Sequence, residues 1–179
     1  LIRKAFKFRI SPNVEQQEKL SVQFGCARFV YNYYRRVRED YYQETNSGLN
    51  YNDCQNDLAD RLKPENEWLS QADSQALQGA IKDLDNAYQR FFKGLADYPR
   101  FKRKHDKQSI RYPQRFKVTD KTIYLPKVGW VKAIFHRAIE GTMKNCTVSR
   151  TKTGKYFVSI QCELDLEEAE PRDRSVGID

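Results

Sequence analysis

The sequence predicts an α+β chain: an antiparallel β-barrel interrupted, after its first strand, by an inserted four-helix bundle. Three observations predict this. Residues 2–10 alternate as a strand but have no strand-like neighbour for a hundred residues. Residues 14–95 carry apolar stripes at helical spacing. Beyond Pro99, short extended runs alternate with turn residues, the pattern of an antiparallel barrel. The first strand most simply joins that later sheet.

In the first strand, Ile2, Phe6, Phe8 and Ile10 share one face, with Lys4 breaking the row. Arg3, Ala5, Lys7 and Arg9 share the other. One face suits a core and the other an anion. Ser11-Pro12-Asn13 ends the strand, and Asn13 with Gln16 reads as a capping box. A first helix follows to Gly25, and a longer one runs from about residue 26 to 44 with Ala27, Val30, Tyr31, Tyr34, Val37 and Tyr41 inward. Asn50 caps a third helix, about 51–62, which Pro64 ends. Ser70 with Asp73 marks the start of the fourth. That helix reaches about Leu95 and has the cleanest stripe: Leu77, Ile81, Leu84, Tyr88, Phe91 and Leu95.

Residues 111–114 and 116–118 are expected to be extended, and 122–126, 129–135, 146–150 and 156–162 to be strands. Residues 151–154 make a hairpin turn between the last two. Residues 167–174 are charged, contain Pro171 and read as a linker. Val176-Gly177-Ile178-Asp179 is an apolar run ending in a carboxylate, as at the start of an RNase H-like nuclease core. Two-metal phosphodiester chemistry gathers several carboxylates around cations ~4 Å apart. An ordinary buried strand is the plain alternative.

The net charge of +8 is unevenly spread. Residues 99–163 hold sixteen basic and four acidic residues, a net of +12, whereas residues 11–98 have a net of −4. Solubility needs only a net magnitude of ~2–8 over a whole domain. The segment therefore calls for a polyanion, and nucleic acid is the usual one. No stretch reaches the ~20 apolar residues of a membrane span, and the N-terminus has no signal-like apolar core, so a cytoplasmic protein is expected. Cys26, Cys54, Cys146 and Cys162 lack zinc-knuckle spacing and read as reduced, partly buried thiols.

Pro99-Arg100-Phe101-Lys102-Arg103-Lys104, with Lys107, Arg111 and Arg115 behind it, interleaves cations with an aromatic. That suits phosphate neutralisation with base stacking; a solvated basic loop is the alternative. Ser70, Gln71, Ser74, Gln75 and Gln78 open the fourth helix. A helix N-terminus favours phosphate and Gln can bond an adenine edge, although a polar helix face would look the same. Tyrosines 31, 33, 34, 41 and 42 read as core and rim, while Tyr51 stands at a loop–helix junction. Asp53, Asp57 and Asp60 read as a solvated face, and no complete active site stands out.

Taken in order, Lys4-Ala5-Phe6-Lys7-Phe8-Arg9-Ile10 with Pro12-Asn13 and Gln16, Ala27-Arg28-Phe29-Val30-Tyr31-Asn32, Ala87-Tyr88-Gln89-Arg90-Phe91-Phe92, Pro99-Arg100-Phe101-Lys102, Leu125-Pro126-Lys127-Val128-Gly129-Trp130-Val131 and Val176-Gly177-Ile178-Asp179 are colinear landmarks. With them the chain resembles the TnpB (OrfB) family of transposon-encoded RNA-guided DNA endonucleases, relatives of the miniature type V CRISPR nucleases. The resemblance implies a wedge (OB-like) barrel at 1–10 and 99–171 and a helical recognition domain at 11–98. It also implies a linker and the start of a RuvC nuclease domain at 172–179.

It further implies a guide RNA from the transposon end, held by the barrel and the basic loop. Candidate RNA contacts are Arg3, Lys7, Arg9, Arg100, Lys102, Arg103, Lys104, Lys127 and Trp130. Target duplex DNA would be read at a short adjacent motif by Tyr51, Ser74, Gln75 and Gln78, with Gln114 and Arg115 nearby. Family members often carry a basic or aromatic residue where Ser74 and Gln75 stand, so the motif itself is not implied. Asp179 would be a catalytic carboxylate and a ligand of Mg2+ in the complete nuclease. The family's later Glu and Asp and its cysteine-rich zinc insertion are absent from the sequence, so residues 1–179 alone are expected neither to cut nor to hold the metal. A prokaryotic cytoplasm is the implied setting. Two other readings stay open: a nuclease-inactive nucleic-acid-binding regulator, and a general RNA-binding barrel protein.

Overall fold

The computed structural model describes residues 1–165. The expected linker and the nuclease start at 172–179, with Asp179, lie outside them. The described chain is mixed helix and sheet, with seven antiparallel strands curled into a half-barrel. The strands are β1 (Ile2–Ser11), β2 (Gln108–Tyr112), β3 (Lys117–Val118), β4 (Thr122–Leu125), β5 (Gly129–Ile134), β6 (Thr142–Arg150) and β7 (Tyr156–Leu164). Their order is β2-β6-β7-β1-β5-β4-β3. The edge strands β2 and β3 do not pair, so the expected barrel is an open one.

β1 is the centre of the sheet. It pairs with β7 from Ile2↔Leu164 to Ile10↔Tyr156, and its last residues also pair with β5, from Arg9↔Ile134 to Ser11↔Lys132. Phe6, Phe8 and Ile10 are buried, as the alternation requires, whereas Ile2 is exposed. The β6–β7 hairpin turns at 151–154 as expected. Before β6, Gly141 has φ +82°, and a Cβ there would lie 2.4 Å from the carbonyl oxygen of Glu163. Only glycine fits that approach.

Among the described residues, all helices fall between β1 and β2. Asn13 caps α1 (Val14–Thr45) in the predicted capping box with Gln16. The helix runs straight through Gly25, the expected boundary between two helices. Glycine costs about 1 kcal/mol in a helix interior, but Leu20, Phe24, Ala27, Val30 and Tyr34 on both sides are buried on one stripe and outweigh it. Asn50 caps α2 (Tyr51–Asp57), again in a capping box. Pro64 does not end the helical path at once: a π turn, Leu58–Leu62, leads into α3 (Lys63–Glu65), where the proline sits in the first turn. A 3₁₀ turn, Glu67–Gln71, precedes α4 (Ser74–Phe92), whose N-cap is Asp73. The insert is therefore built on two long helices, α1 and α4, with α2 packed on α4.

One apolar core runs through the sheet and the helices, from Phe6 and Val158 to Leu77 and Leu84. Gln23 of α1, 0% exposed, is a polar knot within it. Its Nε2 donates to the Pro126 carbonyl at 3.1 Å, and its Oε1 accepts from the Tyr112 hydroxyl at 3.0 Å and from the Asp73 amide at 3.5 Å. One side chain thus ties α1 to β2, to the β4–β5 turn and to the start of α4. The four cysteines are buried free thiols.

Candidate nucleic-acid interface

The start of α4 is fixed from two sides. The Asp73 carboxylate accepts from the Ala76 amide at 3.1 Å and from Arg115 Nη2 at 2.6 Å. This registers the first two turns, so that Gln75, Gln78, Gly79 and Lys82 share one face. That face forms one wall of a cleft of about 430 Å³. Tyr51, at the first position of α2, stands beside it. Arg111, Pro113 and Gln114 from the end of β2, and Lys144 and Asn145 from β6, complete it. Gly79 faces Arg111, where a Cβ would make only ordinary contact with the Arg111 carbonyl at 3.6 Å, and Arg111 Nη2 donates to the Gly79 carbonyl at 3.2 Å.

The cleft collects amides, a phenol and three cations. Lys82 Nζ lies 4.9 Å from the centre of the Tyr51 ring. Acids stand behind the cations: Asp83 2.8 Å from Arg111, Asp85 3.7 Å from Lys82 and Glu163 2.9 Å from Lys144. Lys144 and Arg3 hold the Glu163 carboxyl below its ordinary value, through hydrogen bonds and charge. Burial raises the Tyr51 hydroxyl, keeping it a neutral donor. Two buried polar atoms, Gln75 Oε1 and Arg111 Nε, have no hydrogen-bond partner among the described residues. Both residues line the cleft, and a buried acceptor or donor left unpaired is costly, so a polar ligand that reached either atom would stabilise it.

Of the expected motif readers, the structure brings Tyr51, Gln75, Gln78 and Gln114 together and leaves two aside. Ser74 lies at the first position of α4, outside the lining, and Arg115 is turned to Asp73 with φ +65°. Lys82, Lys144 and Asn145 complete the cleft but do not stand out in the sequence. For Lys82 the signal that could have found it is its place one turn after Gln78 on the same helix face. Lys144 and Asn145 arrive only through strand pairing.

The basic loop is docked on α1. Arg35 Nε donates to the Pro99 carbonyl at 2.7 Å, and its guanidinium lies 3.8 Å from the centre of the Phe101 ring. Arg100, Arg103 and Lys104 are exposed, Arg100 beside Asp97 at 3.4 Å. Lys102 is different: its stem is exposed, but its ammonium turns inward, 4.2 Å from the centre of the Tyr31 ring. Burial lowers its pKa, while Asp83 pulls the other way. On the outer face of β1, Arg3 pairs with Glu163 at 3.2 Å, and Lys7 and Arg9 lie over the Phe157 ring at 4.6 and 5.3 Å. Lys127, with φ +61°, donates to the Ser70 carbonyl. Trp130 is 48% exposed, edge-on to Tyr124 at 5.4 Å. The expected RNA contacts thus fall in separate patches, with Lys102 directed inward. Among the described residues no three His, Cys, Asp or Glu side chains converge as a metal site requires.

A family model described as a helix-turn-helix domain, HTH_OrfB_IS605, matches residues 2–47. In this structure that stretch is a strand and one uninterrupted helix. The chain is 34% identical over 179 residues to the Escherichia coli (strain K12) protein named "Putative RNA-guided DNA endonuclease InsQ", with 98% of this chain aligned. It is 32% identical over 187 residues to a Streptomyces pristinaespiralis protein named "Putative RNA-guided DNA endonuclease", with 99% aligned. The chain belongs to the TnpB (OrfB) family.

It spans 44% and 46% of the lengths of those two TnpB-family relatives. A Salmonella dublin protein named "Virulence protein VsdF" is 38% identical over 114 residues, which cover 58% of this chain and 96% of that one. Among solved structures, the cryo-EM structure of a Cas12f1–sgRNA–target DNA complex contains a chain that matches 92% of this one, and 49% of its own length, at a TM-score of 0.50 and 13% identity. That likeness concerns the fold that the TnpB-family chain adopts.

Proposed function

We propose that residues 1–179 are the guide-RNA-gripping and motif-reading portion of a transposon-encoded, RNA-guided DNA endonuclease of the prokaryotic cytoplasm. Residues 1–10 and 99–171 serve as an OB-like wedge domain, and residues 11–98 as a four-helix recognition domain. Residues 172–179 are the linker and the opening of a RuvC nuclease domain. The observation that carries the reading is the cleft where Tyr51, Gln75, Gln78 and Gln114 converge, with an unpaired carbonyl on Gln75. Amides with both donor and acceptor suit the edges of base pairs in a duplex groove. Guide pairing would supply most of the sequence specificity, leaving this cleft a short adjacent motif.

The exposed Arg100, Arg103 and Lys104 and the outer face of β1 supply the phosphate contacts for the guide. The described residues do not themselves fit a magnesium ion. Asp179 is proposed as one of its ligands in the longer enzyme, where such an ion supplies an activated water. A second reading, a nuclease-inactive binder, draws on the Salmonella dublin relative, nearly all of whose length aligns within this chain.

The test is binding to the RNA encoded at the end of the parent element, against a scrambled RNA of equal length, at ~150 mM salt, where phosphate-only contacts are screened. Preference for the cognate RNA is expected. Equal binding of both would reduce the chain to a general RNA-binding barrel.

A further inference from the structure

A second cleft, of about 600 Å³, shares no residue with the motif cleft. Its floor is the outer face of α1, where Gly25, Arg28, Phe29, Asn32, Tyr33 and Arg36 recur at helical spacing, and Phe101 stands at its rim. Phe29 and Tyr33 stack on each other at 5.9 Å and 28°. Arg61 donates to the Tyr33 hydroxyl at 2.7 Å and so holds that ring. Phe101 is 40% exposed, with the Arg35 guanidinium against its ring. The Asn32 side chain bonds the backbone of Lys102, the next residue, so the position of Phe101 is preset.

The charges point to a polyanion. Arg28 gives one amino group to the neutral Gln108 at 2.5 Å, and among the described residues neither Arg28 nor Arg36 makes an ion pair. Asp40 closes one end and would turn phosphates away from it. Flat aromatic rings beside unpaired guanidiniums are the elements of a single-strand platform, where bases stack and cations follow the backbone. A duplex keeps its bases stacked inside and presents none to such a ring. We propose that this cleft takes an unpaired nucleobase of a single-stranded nucleic acid, stacked on Phe101, with the adjoining phosphates on Arg28 and Arg36. The proposal stands apart from the motif-reading assignment.

The probe is a short fluorescein-labelled uridine-rich RNA, compared with the same strand made abasic and so equal in charge, at ~150 mM salt. Removing the bases should weaken binding to residues 1–179 by about 5- to 100-fold, the size of one base–aromatic stack. Phe101→Ala and Phe101→Leu should lower the intact RNA to the abasic level, while unfolding in urea as the wild type does. Lys104→Ala should weaken both strands alike. The same dependence with a thymidine-rich DNA would assign the cleft to any single strand; its restriction to RNA would assign it to ribonucleotides. Equal binding of intact and abasic RNA by the wild type, or a base dependence that survives Phe101→Ala, overturns the proposal.

Discussion

The Asn32 amide makes a reciprocal pair with the backbone of Lys102: its Nδ2 donates to the carbonyl at 2.9 Å, and its Oδ1 accepts from the N–H at 2.8 Å. A residue of the first helix thereby fixes a loop seventy positions later in sequence. Asn32→Ala should free that loop and weaken RNA binding by roughly fivefold, the worth of about 1 kcal/mol of lost ordering. Far-ultraviolet circular dichroism should be unchanged. An Asn32→Ala protein with wild-type RNA affinity would show that the loop needs no anchoring.

Gln75 and Lys82 lie on the same face of α4 but should fail differently. Gln75→Leu removes the unpaired acceptor and should flatten discrimination among duplex sequences, a loss of about 1–3 kcal/mol at one base pair. Lys82→Ala should weaken all duplexes alike and lower the salt dependence. A randomised-duplex selection reads both. An unchanged selection profile for Gln75→Leu would remove it from the reading set.

Arg115 tests a different division of labour. Its guanidinium is 2.6 Å from the buried carboxylate that caps α4. Arg115→Gln should therefore cost about 1–2 kcal/mol in urea unfolding, and Asp73→Ala more, because the cap is lost as well. If Arg115→Gln keeps its urea midpoint but loses duplex binding, the residue belongs to the ligand and not to the helix.

Stability should fall in alkali. Burial pushes the Cys54 thiol from 9.0 up to about 11, against the opposing pull of Arg38. A pKa raised in the folded state stabilises fully below the unfolded value, and that contribution is lost as pH rises through the folded one. The window is therefore about pH 9 to 11, with a loss on the order of 2 kcal/mol. Buried Tyr34 and Tyr88 are also raised and continue the trend. Urea titrations in reductant should give Cys54→Ala a flatter profile across this window than the wild type; identical slopes would assign the loss to the tyrosines.

Residues 1–179 with magnesium should leave a supercoiled plasmid intact, because among the described residues no three His, Cys, Asp or Glu side chains converge to hold a metal ion. Magnesium-dependent nicking by a clean preparation would refute this.

What was legible in the sequence was local and periodic. The alternation of β1, the capping box at Asn13, the cap at Asn50, the α4 stripe from Leu77 to Tyr88 and the 151–154 turn each follow from neighbouring residues and emerge as expected, whereas α4 stops at Phe92 and leaves Phe91 and Leu95, the expected end of its stripe, exposed. The continuity of α1 through Gly25 was not, because propensity argues for a break and only tertiary burial overrides it. The π turn before Pro64 was hidden for the same reason. In the cleft, the family resemblance brought Tyr51 and Gln75 to notice, but their meeting with Lys144 and Asn145 depends on strand register, which no single segment encodes. Gln23, the knot beneath the site, looked like any polar helix residue.

β1 is the first strand made and lies in the middle of the sheet. It ends at Ser11, and its first strand neighbour to be synthesised, β5, begins at Gly129. At roughly 5–20 residues per second on the ribosome, the strand waits on the order of ten seconds for that neighbour. Throughout that interval Phe6, Phe8 and Ile10 have only the growing helices to cover them. Until then both edges of β1 are unpaired, so the centre of the finished sheet is the part of the fold left open longest to strand addition from neighbouring polysomes.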